Sequence, residues 1–198
     1  YFKKWKDYYF NVPKPNQLEI QDSLAEQKTN DNGETEWTLN LDSLEKSIYR
    51  MNIDSEVFET EGGKSVKTQL SQLISNQDYF LGFKAAQGSV SDFSFIKKSD
   101  KASLDIITVN SKLEPVASKD IEVTMVEKKP TSILTRLPND TYAYQTVHKE
   151  NVLKTFKLNV NAKNTLLKLD TETVGEFILI FKDSDKTELN RLVYNVVG

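Results

Sequence analysis

The chain has 198 residues with 38% apolar and 10% aromatic side chains, enough apolar surface for packed cores and room for one large domain or two small ones. Lysine and arginine number 26 against 29 acids, and the two signs are interspersed, so the basic footprint of a nucleic-acid binder is absent. Cysteine is missing altogether, which excludes disulfides, thiolate nucleophiles, zinc-thiolate sites and iron–sulfur ligation. No apolar run approaches the roughly 18 to 20 residues of a membrane span. The opening Tyr1-Phe2-Lys3-Lys4-Trp5 lacks the apolar stretch of a secretory leader, so the chain is expected to begin inside a larger protein.

In chain order, apolar residues recur at period two, and β-branched or aromatic side chains fill them, which is the pattern of half-buried strands. Glu36 to Leu41 alternates Trp37, Leu39 and Leu41 on one face. Ser43 to Arg50 and Thr68 to Ser75 have some helical periodicity, but each is short and uncapped, and both are read as strand. A break between modules is expected near Ser75-Asn76-Gln77-Asp78, after which Tyr79 to Lys84 opens a second series of strands. That series continues through Ala102 to Val109, Ile121 to Val126, Val152 to Val160, Thr165 to Leu169, Glu176 to Phe181 and Leu189 to Val197. Turn signals at Asp31-Asn32-Gly33, Glu61-Gly62-Gly63, Asn110-Ser111-Lys112, Pro138-Asn139-Asp140 and Asp183-Ser184-Asp185 punctuate the strands at sandwich-like spacing. The expected architecture is all-β: tandem immunoglobulin-like or fibronectin-like antiparallel sandwiches, residues 1–76 lacking their first strands and residues 77–198 complete.

Candidate chemistry is sparse. The only histidine, His148, shares a strand face with Tyr142, Tyr144 and Thr146 and reads as a surface residue. The acids Asp183, Asp185 and Glu188, Asp31 with Glu34 and Glu36, and Glu56 with Glu59 and Glu61 lack the spacing of a calcium loop, and solvated turns are the better reading. Trp5, Tyr8, Tyr9 and Phe10 could stack on a sugar but are read as core. Gly62-Gly63-Lys64-Ser65 lacks the upstream glycine of a phosphate loop and reads as a hairpin turn. Residues 127–150, with Lys128-Lys129-Pro130 at the start and Asn139-Asp140 at the tip, form either a hairpin projecting beyond the sandwich toward a partner or a meander with a proline-marked bulge. No catalytic, cofactor-binding or metal site is expected, nor any enzyme activity.

Several segments, in order, resemble the macroglobulin domains of bacterial alpha-2-macroglobulin-like proteins. Trp5-Lys6-Asp7-Tyr8-Tyr9-Phe10 resembles an aromatic segment within one such module, Asp31-Asn32-Gly33 the turn before its next strand, and Glu61 to Val66 its Gly-Gly hairpin. Gln77 to Lys84 resembles the phrase leading into the following module. Within that module, Ile107 to Val116 is similar to a strand, polar turn and Pro-Val, Gly175 to Leu179 to a Gly-x-Tyr-x-Leu strand, and Tyr194 to Gly198 to the closing Val-x-Gly. Phe177 stands where the family usually has tyrosine and Val174 where it often has tryptophan. The resemblance implies a structural segment of an extracytoplasmic, periplasmic protease trap, possessing neither the thioester, which needs a Cys-x-Glu-Gln motif, nor the bait region. The partners it implies are neighbouring domains of the same parent chain and the proteases trapped by the parent, with no nucleic acid, no membrane span and no cofactor. The other reading kept open is a stalk or adhesin pair binding a cell-surface ligand or glycan.

Overall fold

The computed structural model describes residues 2–12, 20–59 and 62–198. Contacts divide the chain into two compact units, Tyr1–Val12 with Asp78–Gly198, and Pro13–Gln77.

The larger unit is a sandwich of two sheets. One has the order β1 (Tyr9–Phe10), β4 (Phe80–Ala85), β6 (Ser103–Val109) and β9 (Thr165–Lys168). The other has the order β5 (Ile96–Lys97), β11 (Glu188–Val197), β10 (Gly175–Lys182), β7 (Ser118–Arg136) and β8 (Tyr142–Val160). Pairing is antiparallel throughout, apart from the parallel β5–β11 contact. The period-two pattern explains the core. Leu81 and Phe83 on β4 and Leu104 and Ile106 on β6 meet Ile121, Val123 and Met125 on β7, Phe177, Leu179 and Phe181 on β10, and Leu192, Tyr194 and Val196 on β11. Each such apolar side chain contributes about 1.5–3 kcal/mol relative to exposure. Of the two substituted family positions, Phe177 is buried with this set, while Val174 is exposed.

The sequence assigns the N-terminal residues to the first module, but they belong to this sandwich. β1 pairs with β4 through Tyr9–Phe83 and Phe10–Gly82. The Phe10 ring lies over Gly82, where a Cβ would sit 2.4 Å from its Cζ, and Phe2 stacks on Phe10 with ring centroids 4.0 Å apart. Trp5 Nε1 donates to the Leu113 carbonyl at 3.0 Å, and Tyr8 Oη donates to Asp105 Oδ2 at 3.0 Å. The physical reason is a glycine and an acid some seventy to a hundred residues downstream, which no local pattern announces. Asn190, fully buried, fastens the two sheets by donating from Nδ2 to the Tyr9 and Leu81 carbonyls at 3.0 and 2.9 Å.

The smaller unit contains, among its described residues, β2 (Ile48–Phe58) and β3 (Ser65–Ser75), an antiparallel hairpin in register from Ile48–Ser75 to Phe58–Ser65. Two expectations fail here. Glu36 to Leu41 is not a strand: alternation is present, but no ladder forms along it, and the Trp37 indole donates instead to the Ala25 carbonyl at 2.9 Å, fastening a loop. Of Ser43 to Arg50, only residues 48–50 lie in a strand, the preceding residues forming turns and bends. Thr68 to Ser75 is strand, as its lack of caps implied.

Candidate interaction surface

β7 and β8 are each 19 residues long, and that length sets the most exposed feature of the larger unit. β10 covers the far side of β7 only as far as Lys128, which pairs with Glu176. From Lys129–Lys149 to Arg136–Tyr142 the ladder of β7 and β8 continues as a two-stranded ribbon, about 25 Å long at some 3.4 Å per residue. The turn at 138–140 closes it, with Asp140 at φ 61°. Of the two readings of residues 127–150, the projecting hairpin is the one the structure adopts. Pro130 sits in register opposite His148, and the irregularities fall elsewhere, at Ser118/Ile121 and Met125/Val126. At the second of these Lys154 pairs with Met125 and Val152 with Val126, leaving Leu153 as the extra residue. Along the uninterrupted β7, the side that carries Ile121, Val123 and Met125 into the core continues through Thr131 and Ile133, with Val147, Gln145 and Ala143 beside them on β8.

The opposite face of the ribbon carries Pro130, Ser132, Leu134 and Arg136 beside His148, Thr146, Tyr144 and Tyr142. Leu134, Tyr142 and Tyr144 are 56%, 64% and 78% exposed, and they are cross-strand neighbours. Residues 131–135 and 141–147 contain no charged side chain, in a chain that is 28% charged. Charge is confined to the ends, and much of it is paired: Lys128 with Glu176 at 2.9 Å and Lys129 with Glu127 at 3.0 Å at the base, Arg136 with Asp140 at 2.9 Å at the tip. The middle of the arm is an uncharged surface in which Ile133, Leu134, Tyr142, Tyr144 and Val147 alternate with threonine, serine and glutamine, so it has no charge with which to steer a partner.

Among the other residues singled out in the sequence, His148 is exposed on the ribbon with Tyr142, Tyr144 and Thr146. The acids near Asp183 do not converge. Asp183 is itself buried, not solvated: its Oδ1 accepts the backbone N–H groups of Asp185 at 2.9 Å and Thr187 at 2.8 Å, so the carboxylate shapes the turn. Glu188 is taken up by Arg191, which donates from Nε and Nη2 at 2.6 Å each, and that pairing holds the guanidinium pKa above its ordinary value. The loop bearing Asp31 and Glu34 is organised by Asn30 Oδ1, which accepts from the backbone N–H of Asn32 and Glu34. Glu56 pairs with Lys67 at 3.4 Å across the β2–β3 ladder; Glu61 lies outside the described residues. Gly62, at φ 73°, belongs to the hairpin turn between those strands. Among the described residues no group of three or more acids or histidines is placed to hold a metal ion. A cavity of about 20 Å³ between Met125, Phe156, Leu179 and Tyr194 has room for a single water at most.

Comparison with known proteins places this two-sheet sandwich in the macroglobulin class of modules. The chain is 33% identical over 197 residues to an alpha-2-macroglobulin homolog of Yersinia pestis, 28% over 200 residues to the alpha-2-macroglobulin of Pasteurella multocida (strain Pm70), and 25% over 196 residues to that of Rickettsia conorii. These alignments take in 98–100% of this chain and 10% of each relative, so the chain spans about a tenth of their length. Among solved structures, native Escherichia coli alpha-2-macroglobulin shares the fold over 98% of this chain and 13% of its own, with a TM-score of 0.56 at 14% identity. Salmonella alpha-2-macroglobulin reacted with methylamine does so over 94% and 13%, with a TM-score of 0.52 at 17% identity. No protein-family model matches. The chain is a macroglobulin-domain segment, related over its whole length to part of the bacterial alpha-2-macroglobulins.

Proposed function

We propose that this segment is a structural part of a bacterial alpha-2-macroglobulin-like protease-trapping inhibitor, working outside the cytoplasm in the periplasm and possessing no enzyme activity of its own. The observation that carries the reading is the match of this whole chain to about a tenth of the length of curated bacterial alpha-2-macroglobulins. A related solved structure is of Escherichia coli alpha-2-macroglobulin activated by porcine elastase, which is where an endopeptidase enters the reading. A thioester of the Cys-x-Glu-Gln type needs a thiol, and the chain has no cysteine. The reactive elements, thioester and bait region alike, are assigned to other parts of the longer protein. The segment spaces and holds neighbouring domains and transmits strain between them when the trap is sprung.

The smaller unit supports the view that a module is shared with chain outside this sequence. Register places Tyr49, Met51, Ile53 and Val57 with Val66, Leu70 and Ile74 on one face of the β2–β3 hairpin, while the other face mixes Arg50, Asn52, Asp54, Glu56, Lys67, Gln69 and Ser71 with Ile48, Phe58 and Leu73. Such a pair, with one mainly apolar face, is half of a sandwich: two strands alone are marginally stable in water, and Val57, Val66 and Leu70 remain exposed. Strands from the longer protein complete it.

The test compares this polypeptide with the longer protein. Incubated with elastase, the longer protein should suppress digestion of casein while sparing a small chromogenic peptide, and the 198-residue chain alone should suppress neither. Inhibition by the segment alone, or binding of the segment to a glycan array, would sink the reading.

A further inference from the structure

We propose that the β7–β8 arm is an interdomain docking element, whose outer face of Leu134, Tyr142 and Tyr144 is buried in the longer protein against an uncharged apolar surface of another module of the same chain. This rests on the reading of the sequence as a segment of a longer protein.

Three observations select that occupant. The first is the length and thinness of the arm: a two-stranded ribbon about 25 Å long, supported only by its own ladder, cannot bury a face by itself. Both faces carry apolar side chains, Leu134, Tyr142 and Tyr144 on one and Ile133 and Val147 on the other, so the arm fits a groove between modules better than a flat surface. The second is charge. Nucleic acid and anionic lipid are recognised by free cations, and none stands between residues 131 and 135 or 141 and 147, while Arg136 is held by Asp140. Insertion into a bilayer would lead with the tip, which is Pro138-Asn139-Asp140 and polar. Neutral, aromatic-rich patches depleted of charge are the composition of protein–protein contact cores. The third is the supply of partners: curated relatives are about ten times the length of this chain, so other modules are present at high effective concentration.

The experiment places a photo-reactive benzoylphenylalanine at position 144 of the longer protein and, as a control, at the exposed turn position 163. Irradiation and mass spectrometry should give an intrachain cross-link from position 144 to a residue outside this sequence, and none from position 163. A cross-link to a second copy, a link to lipid, or yields equal to the control would overturn the proposal. In parallel, Leu134→Ser with Tyr144→Ser should leave the melting temperature of the 198-residue polypeptide unchanged, since both positions are exposed in it. In the longer protein the same pair should raise the rate of tryptic cleavage after Arg136 by about tenfold, through loss of docking. Equal effects in both proteins, or none in either, would count against docking. Failure of the elastase assay with the cross-link intact would remove the trapping function and leave the docking element standing.

Discussion

Gly82 and Asn190 hold the N-terminal strand from two directions, and each yields a quantitative expectation. In Gly82→Ala the new methyl meets the Phe10 ring at 2.4 Å, and Phe10 cannot retreat without breaking its stack on Phe2. The cost is that of overpacking, about 1–3 kcal/mol. Urea unfolding should show that loss, together with new tryptic cuts after Lys3, Lys4 or Lys6 as the segment lifts away. Asn190→Ala leaves the Tyr9 and Leu81 carbonyls without their donor in a buried place, a loss of roughly 2–4 kcal/mol by the same measurement. Tyr194 adds a pH dependence. Burial, and secondarily the charge of Asp170, push its phenol above the ordinary value of 10.0. A raised pKa in the folded state means the folded chain keeps its proton where the unfolded chain has lost it. That stability is fully present below about pH 10, the unfolded value, and drains away as pH rises toward the folded one. The melting temperature should therefore fall more steeply above about pH 10 in the natural chain than in Tyr194→Phe, and parallel curves would refute the assignment.

At the scale of elements, the strands of the larger unit are written in the alternation itself. Phe156, Leu158 and Val160, or Phe177, Leu179 and Phe181, can face one core only if the backbone is extended. Alternation fails at Glu36 to Leu41 for the converse reason: a strand exists only by pairing, and Trp37 finds a loop carbonyl in place of a ladder. The arm is half legible. Its tip is signalled by Asn139-Asp140, but its freedom depends on where the β10–β7 ladder ends, at Glu176–Lys128, which is set by where another strand begins. Limited trypsin treatment of the 198-residue chain should cut after Arg136 at the tip, and resistance there would argue that the ribbon folds back. The irregular, exposed stretch around Lys28 should also be cut.

Across the whole molecule, the chain leaves the larger unit after its first strand, makes the smaller one, and returns. A linear reading groups the aromatic segment Trp5 to Phe10 with its neighbours in sequence, because nothing local distinguishes a strand that pairs with its successor from one that pairs about seventy residues on. Composition and periodicity by themselves determined the all-β class, most of the strands after residue 77 and the absence of thiol chemistry, since side-chain alternation and residue inventory are properties of the chain alone. Only the tertiary structure decided which strands share a sheet, that Gly82 receives Phe10, and that the β7–β8 face stands uncovered. Those are outcomes of long-range pairing, fixed by which surfaces meet.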